Sequence, residues 1–376
     1  MKKIYMAAVF LFFFASQASA SSLEAVWGDV HPLLHKAVAD LEKRVDVPDS
    51  DWNPLKDDKK SLDREINSLL DECIEILGLS DMSETKQAIQ NLQDESRNCR
   101  EKIAELKTER LAAPSKVSKW EVWKKDAGAI DEEVAELELR IGENEKRVDE
   151  LIDRLVTEMR AIGMKVDREQ VETLVYSVTG SDDVQLVSVF NNVKLITAEL
   201  QRLTSETDEN IEMAKRYYGM HTLLLRILLN LYQHYEDKIS GTYLVKIEDI
   251  IRKQQELIRK TQESIEREPA KYTMIYKTNL IAQGLTVRTA RLYAEYLEKN
   301  RKRIEKARAD VQDEYEVALN TYETVQGAHS LISLMRNANS MLDRLSELQT
   351  PELIVFQNTD MRNEFRKLTG MLNSGK

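Results

Sequence analysis

The sequence predicts an all-α protein: a long antiparallel coiled-coil hairpin followed by an elongated multi-helix bundle. Three observations carry that expectation. Turn residues are scarce, with 12 glycines and 6 prolines in 376 residues, too little punctuation for a many-stranded sheet. Charged residues make up 32% and aromatic residues 6%, at a mean hydropathy of −0.47, the profile of long solvated helices rather than of one thick core. Apolar residues also recur at three- and four-residue spacing over tens of residues, the period of a helix seam.

Taken in order, residues 1–20 read as a secretory signal peptide. Lys2 and Lys3 form the charged start, residues 4–15 the apolar stretch, and Ala18-Ser19-Ala20 a small-residue cleavage site. That apolar stretch spans only ~18 Å as a helix, short of the ~30 Å hydrocarbon core. The residue after the cut is Ser21 and not Cys, so no lipoprotein anchor is indicated. The most apolar later run, residues 223–232, carries Arg226 and Asn230 and reads as a buried core helix. The expected location is therefore the periplasm, with cleavage after Ala20. Losing Lys2 and Lys3 takes the net charge from −11 to −13, which disfavours a nucleic-acid partner.

Residues 21–60 predict a short helix over about 33–45 and then a linker, because Pro48 and Pro54 sit among Asp49, Ser50, Asp51 and Asn53. Residues 61–163 predict the hairpin. Leu62, Ile66, Leu69, Cys73 and Ile76 share one seam, and Ile89, Leu92, Cys99, Ile103 and Leu106 share another after the start signal Asp81-x-x-Glu84. The returning arm carries Val134, Leu137, Ile141, Asn144, Val148, Leu151 and Leu155 in heptad register, with Asn144 the one polar residue on the seam, a device that fixes register. Residues 114–128 are long enough to reverse the chain between the arms. A pairing of both arms with a second copy, giving a homodimer, is the alternative construction.

From 164 to 376 the apolar faces broaden, as a packed bundle requires. The expected pieces are a short helix at 167–178, a turn at 179–182, a helix to about 218 that resumes after Gly219 and runs to 238, and a break at Ser240-Gly241. Further helices are expected over 243–268, 271–325, 328–348 and 360–372, with Pro269, Gly327 and Pro351 as stops.

Two cysteines, Cys73 and Cys99, both face inward on their seams. They could pair in an oxidising compartment, although a hairpin turning at 78–82 offsets them by ~16 Å along the helix axes, beyond a disulfide's reach; buried free thiols are the other expectation. The sequence holds no phosphate loop, dinucleotide fingerprint, zinc helix motif, nucleophile elbow or C-x-x-C, so neither a catalytic residue, a metal ligand set nor a cofactor is predicted.

Four features have the chemistry of candidate sites. Lys116, Lys119, Trp120, Trp123, Lys124 and Lys125 concentrate aromatic and basic character between the hairpin arms, chemistry that fits a membrane surface or an envelope protein; folding back to seal the hairpin end is the competing role. Tyr217, Tyr218, His221, Tyr232 and Tyr235, with His234, flank the apolar run and could line a ligand pocket in a bundle. His31 and His35 share a helix face but are too few for a metal site. Lys299, Arg301, Lys302, Arg303, Lys306 and Arg308 are interleaved with Glu298, Glu305 and Asp310, the pattern of a solvated face. The expected function is an exported, non-catalytic scaffold or adaptor of the bacterial cell envelope that contacts its partner through the hairpin end. The alternative is a periplasmic ligand-binding or sensor bundle.

Overall fold

Local sequence chemistry sets the helix boundaries seen in the computed structural model, which describes residues 26–44, 47–49, 58–111, 127–206, 211–267, 270–327, 344–345, 347–353 and 362–374. Among the described residues the chain is helix, turn and bend with no strand. The fold class is all-α, as the scarcity of turn residues requires. Residues 1–20, expected as a signal peptide, lie outside the described residues, as does most of the expected helix 328–348.

The helices are α1 (residues 26–44), α2 (Lys59–Gly78), α3 (Asp81–Arg110), α4 (Ala127–Ala161), α5 (Arg168–Tyr176), α6 (Gly180–Glu206), α7 (Ile211–Lys238), α8 (Leu244–Arg267), α9 (Thr273–Gly327) and α10 (Arg362–Ser374). Asp58 caps α2 by accepting from the Ser61 amide at 2.7 Å while Ser61 answers the Asp58 amide, and Asp167 with Gln170 does the same for α5. Both are reciprocal capping boxes that satisfy orphan donors of the first turn. Gly163 stands at φ 88 after α4, a left-handed position where any side chain would be strained.

The chain forms two compact units, one of residues 81–181 and one of residues 1–80 with 182–376. These breaks differ from the expected ones at 61 and 163. In the first unit α3 and α4 pair along their length. Arg110 meets Asp131, Lys107 meets Glu138, Arg100 meets Glu145, and Thr85 donates to Glu158. Residue numbers fall on α3 as they rise on α4, so the pair is antiparallel. Ile89, Cys99, Ile103 and Leu106 of α3 and Ile130, Val134, Val148, Ile152 and Leu155 of α4 are buried, the three-four seam read from the sequence. Asn144 is buried within it and its Nδ2 donates to Glu95 at 3.2 Å. Helix α5 closes on this unit through Arg168, which bridges Asp149 and Asp153, and through Lys86, whose Nζ donates to the Val175 carbonyl.

In the second unit α9, 55 residues long, runs antiparallel to α7 and α8. Tyr322 lies against Gly219, Arg308 reaches Gln233 and Glu236, and Gln283 donates to Thr261. Two expected interruptions are absent here. Gly219 lies inside α7, where α1 and α9 come so close that a Cβ would sit 3.0 Å from Val38 and 3.1 Å from Tyr322; this glycine permits close approach and does not end the helix. Ser240 and Gly241 form a π turn, Ile239–Tyr243, through which the chain passes from α7 into α8 without leaving helical conformation. The tertiary contacts of Tyr243 with Asp182 and of Lys238 with Asp182 hold a turn that the local glycine would otherwise loosen.

Arg226 interrupts the most apolar stretch of the chain for a structural reason. Its guanidinium donates to Asp63 and Asn67 of α2, both at 3.0 Å, and Arg44 of α1 donates to the same Asp63 carboxylate. One carboxylate thus ties α1, α2 and α7 together.

Candidate functional site

The ends of the two hairpin arms are packed against each other. Ile103 and Leu106 of α3 pack with Ile130 and Val134 of α4, with Leu137 and Ile141 against them. Just beyond, Arg110 clamps Asp131 with both a Nε and a Nη2 donor, the latter at 2.8 Å, the fork geometry that favours arginine over lysine. The last turn of α3 and the first of α4 are therefore fastened to each other, and residues 112–126 leave from and return to adjacent helix ends. Lys116, Lys119, Trp120, Trp123, Lys124 and Lys125 lie outside the described residues.

The tyrosine and histidine cluster of α7 resolves into two levels. Tyr218 and His221 are buried near Gly219, whereas Tyr232 and Tyr235 are buried about three turns further on, ~16 Å along the axis. Leu223, Leu224, Leu225, Ile227 and Leu228, all buried, fill the interval. Tyr235 donates to Asp183 of α6. His221 is wholly buried, its Nδ1 has no hydrogen-bond partner, and burial pulls its pKa down to about 4, which keeps the imidazole neutral at ordinary pH. Burial pushes the Tyr218 phenol up to about 12, and raises Tyr232 with help from Asp310. Tyr217 is half-buried. Of the five residues read from the sequence as a ligand-binding set, four thus split between two stations in the core and Tyr217 lies at its edge.

His31 and His35 of α1 stack loosely at 6.1 Å with Trp27 4.9 Å from His31, whose pKa is lowered by burial and then by His35. Among the described residues no group of three or more His, Cys, Asp or Glu side chains is arranged to hold a metal. Cys73 and Cys99 are free, buried thiols, one in the core of each unit; the disulfide considered from the sequence is not formed. Three of the six cations in the basic run of α9 are ion-paired, Arg301 on Glu298 and Glu305, Arg303 on Glu352 and Arg308 on Glu236.

Two surface features of the α8 and α9 pair were not read from the sequence. A groove of about 470 Å³ lies between the helices, lined by Lys260, Thr261, Ser264, Tyr276, Asn279 and Gln283. On α9 itself Met274, Ile275 and Ile281 stand exposed. The signal for both was present as an amphipathic period in 257–285, but which face of that period is covered depends on where α8 and α10 pack.

The fold and these surfaces define an all-α protein that pairs an antiparallel helical hairpin with a helical bundle. No protein-family model matches the chain, and the searches of curated proteins and of solved structures gave no significant match. No described helix is long and apolar enough to cross a membrane.

Proposed function

We propose that this chain is an exported, non-catalytic scaffold or adaptor of the bacterial cell envelope, contacting a protein or membrane partner through the connection between α3 and α4. The observation that carries this reading is the Arg110 to Asp131 clamp above the packed Ile103, Leu106, Ile130 and Val134 cluster. The segment that joins these two helices, held side by side at that end, bears two tryptophans and four lysines. Helices of 30 and 35 residues set a reach of ~45–50 Å at 1.5 Å per residue, and aromatic residues on a fixed base make effective recognition anchors. The charged, apolar and small-residue pattern of residues 1–20 supports a location outside the cytosol.

The test is photo-crosslinking in living cells from a probe at position 120 or 123, with the captured molecule identified. Deleting residues 116–125 is expected to abolish the association while leaving helicity and the unfolding midpoint unchanged. A large loss of stability on that deletion would mean that the tryptophans seal the hairpin, and the docking role would fall. Mature protein recovered from cells is expected to begin at Ser21 by intact mass; a cytosolic product retaining residues 1–20 would remove the envelope assignment.

A further inference from the structure

We infer that the first half of α9 is a second docking surface, distinct from the hairpin connection, and that its occupant is an anionic bilayer surface. The argument starts from charge. The chain carries 65 acidic residues among 376, yet between Glu268 and Glu295 there is none, while Lys271, Lys277, Arg288 and Arg291 all fall in that stretch. A strongly acidic molecule therefore presents one basic segment with no acidic residue inside it, in contrast to the 298–308 run further along the same helix, where acidic residues interleave and pair.

The fold then decides which side of this segment faces outward. At 100° per residue Met274, Thr278, Ile281 and Leu285 fall on one line of α9, opposite the buried line of Gln283, Val287 and Ala290. Met274 and Ile281 are each 74% exposed and Ile275 is 57% exposed. Helix α10 covers α9 further along, where Phe365 lies 4.0 Å from the Tyr293 ring centre and Thr369 meets the Tyr293 hydroxyl at 2.8 Å, so it leaves the 274–281 part of the line bare. Lys277 and Arg288, both exposed, run along one side of that line. At the start of α9 the Lys271 ammonium sits 4.7 Å from the Tyr272 ring centre, an aromatic and cation pair suited to the boundary between headgroups and acyl chains.

Charge and shape together select the occupant. Two copies meeting face to face would set like charges against each other. A folded protein partner would need pockets to receive side chains that stand singly on a convex helix, whereas lipid deforms around them and anionic headgroups neutralise the adjacent cations.

The experiment uses the mature full-length chain and vesicles of phosphatidylcholine with or without phosphatidylglycerol, read by flotation over a salt series. Binding is expected only with phosphatidylglycerol and is expected to weaken as salt rises. The pair Lys277→Gln and Arg288→Gln should weaken it about thirtyfold, two cations' worth of headgroup attraction, and Met274→Ser with Ile281→Ser about tenfold or more; helicity is recorded for each variant. Absence of binding to anionic vesicles, equal binding to neutral ones, or unchanged binding in both variant pairs overturns the inference. Self-association in the ultracentrifuge that the Met274 and Ile281 variants abolish, without vesicle binding, would assign the face to a second copy and also overturn it. The chain lacking 116–125 should bind vesicles as the intact chain does, so this inference and the hairpin reading fail separately; vesicle binding lost on that deletion and retained in the α9 variants would give the lipid contact to the hairpin.

Discussion

His221 shows how one buried residue sets a property of the molecule. The imidazole is wholly enclosed and burial holds its pKa at about 4, below the value near 6.5 of an unfolded chain. The folded state therefore binds fewer protons than the unfolded state between about pH 6.5 and 4. Stability is complete above pH 6.5 and falls as the pH drops through that window, by about 3 kcal/mol in all. Denaturant titrations across this range should show that slope, and His221→Leu should flatten it. The cysteines make a second residue-scale case. Burial pushes the Cys73 thiol up to about 12, and Cys99 is 6% exposed, so neither presents a ready thiolate. Thiol reagents should label the native chain slowly and label two sites at once on unfolding, without any reductant; a chain that stays unlabelled in denaturant would carry a bridge instead. The inward direction of both cysteines was legible from three-four spacing. The neutrality of His221 was not, because it depends on a complete enclosure that the spacing along α7 does not record.

At the scale of elements, the hairpin followed its sequence signals closely. The start signal at Asp81, the apolar seams and the breaks between them act within a few residues of one another, and they marked out α2, α3, α4 and α5. Asn144 is the polar position on the seam, and it is buried with its amide on Glu95, which Arg140 also engages at 2.7 Å. Such a residue lowers stability in return for a defined register. Asn144→Leu should accordingly raise the denaturation midpoint, by about 1 kcal/mol; a lower midpoint would show that its hydrogen bond stabilises the pair. Glycine was the misleading signal. Gly219 and Gly241 were expected to interrupt helices, because glycine disfavours helix locally by about 1 kcal/mol. Gly219 is retained in α7 for room: Val38 and Tyr322 occupy the space a side chain would need. Gly219→Val is expected to cost about 2 kcal/mol by overpacking, measured as a drop in the unfolding midpoint.

At the scale of the whole molecule, the division into units was the part least available beforehand. Helix α2 has the same seam periodicity as α3, yet it belongs to the unit of α7 and α9, because Asp63 takes both Arg226 and Arg44. Asp63→Ala would leave two part-buried guanidinium groups unmatched, and a loss of about 2 kcal/mol is expected by equilibrium unfolding. Helix α5, read as the start of the bundle, belongs to the hairpin unit through Arg168 and Lys86. The all-α class, the helix boundaries near caps and the antiparallel hairpin all follow from forces acting between residues a turn or two apart, which spacing alone encodes. Which helix a seam packs against, which tyrosines are enclosed, and which face of α9 remains bare depend on contacts between segments from about twenty to more than a hundred and fifty residues apart. No local period records those, because an apolar stripe is the same in sequence whether a neighbour covers it or not.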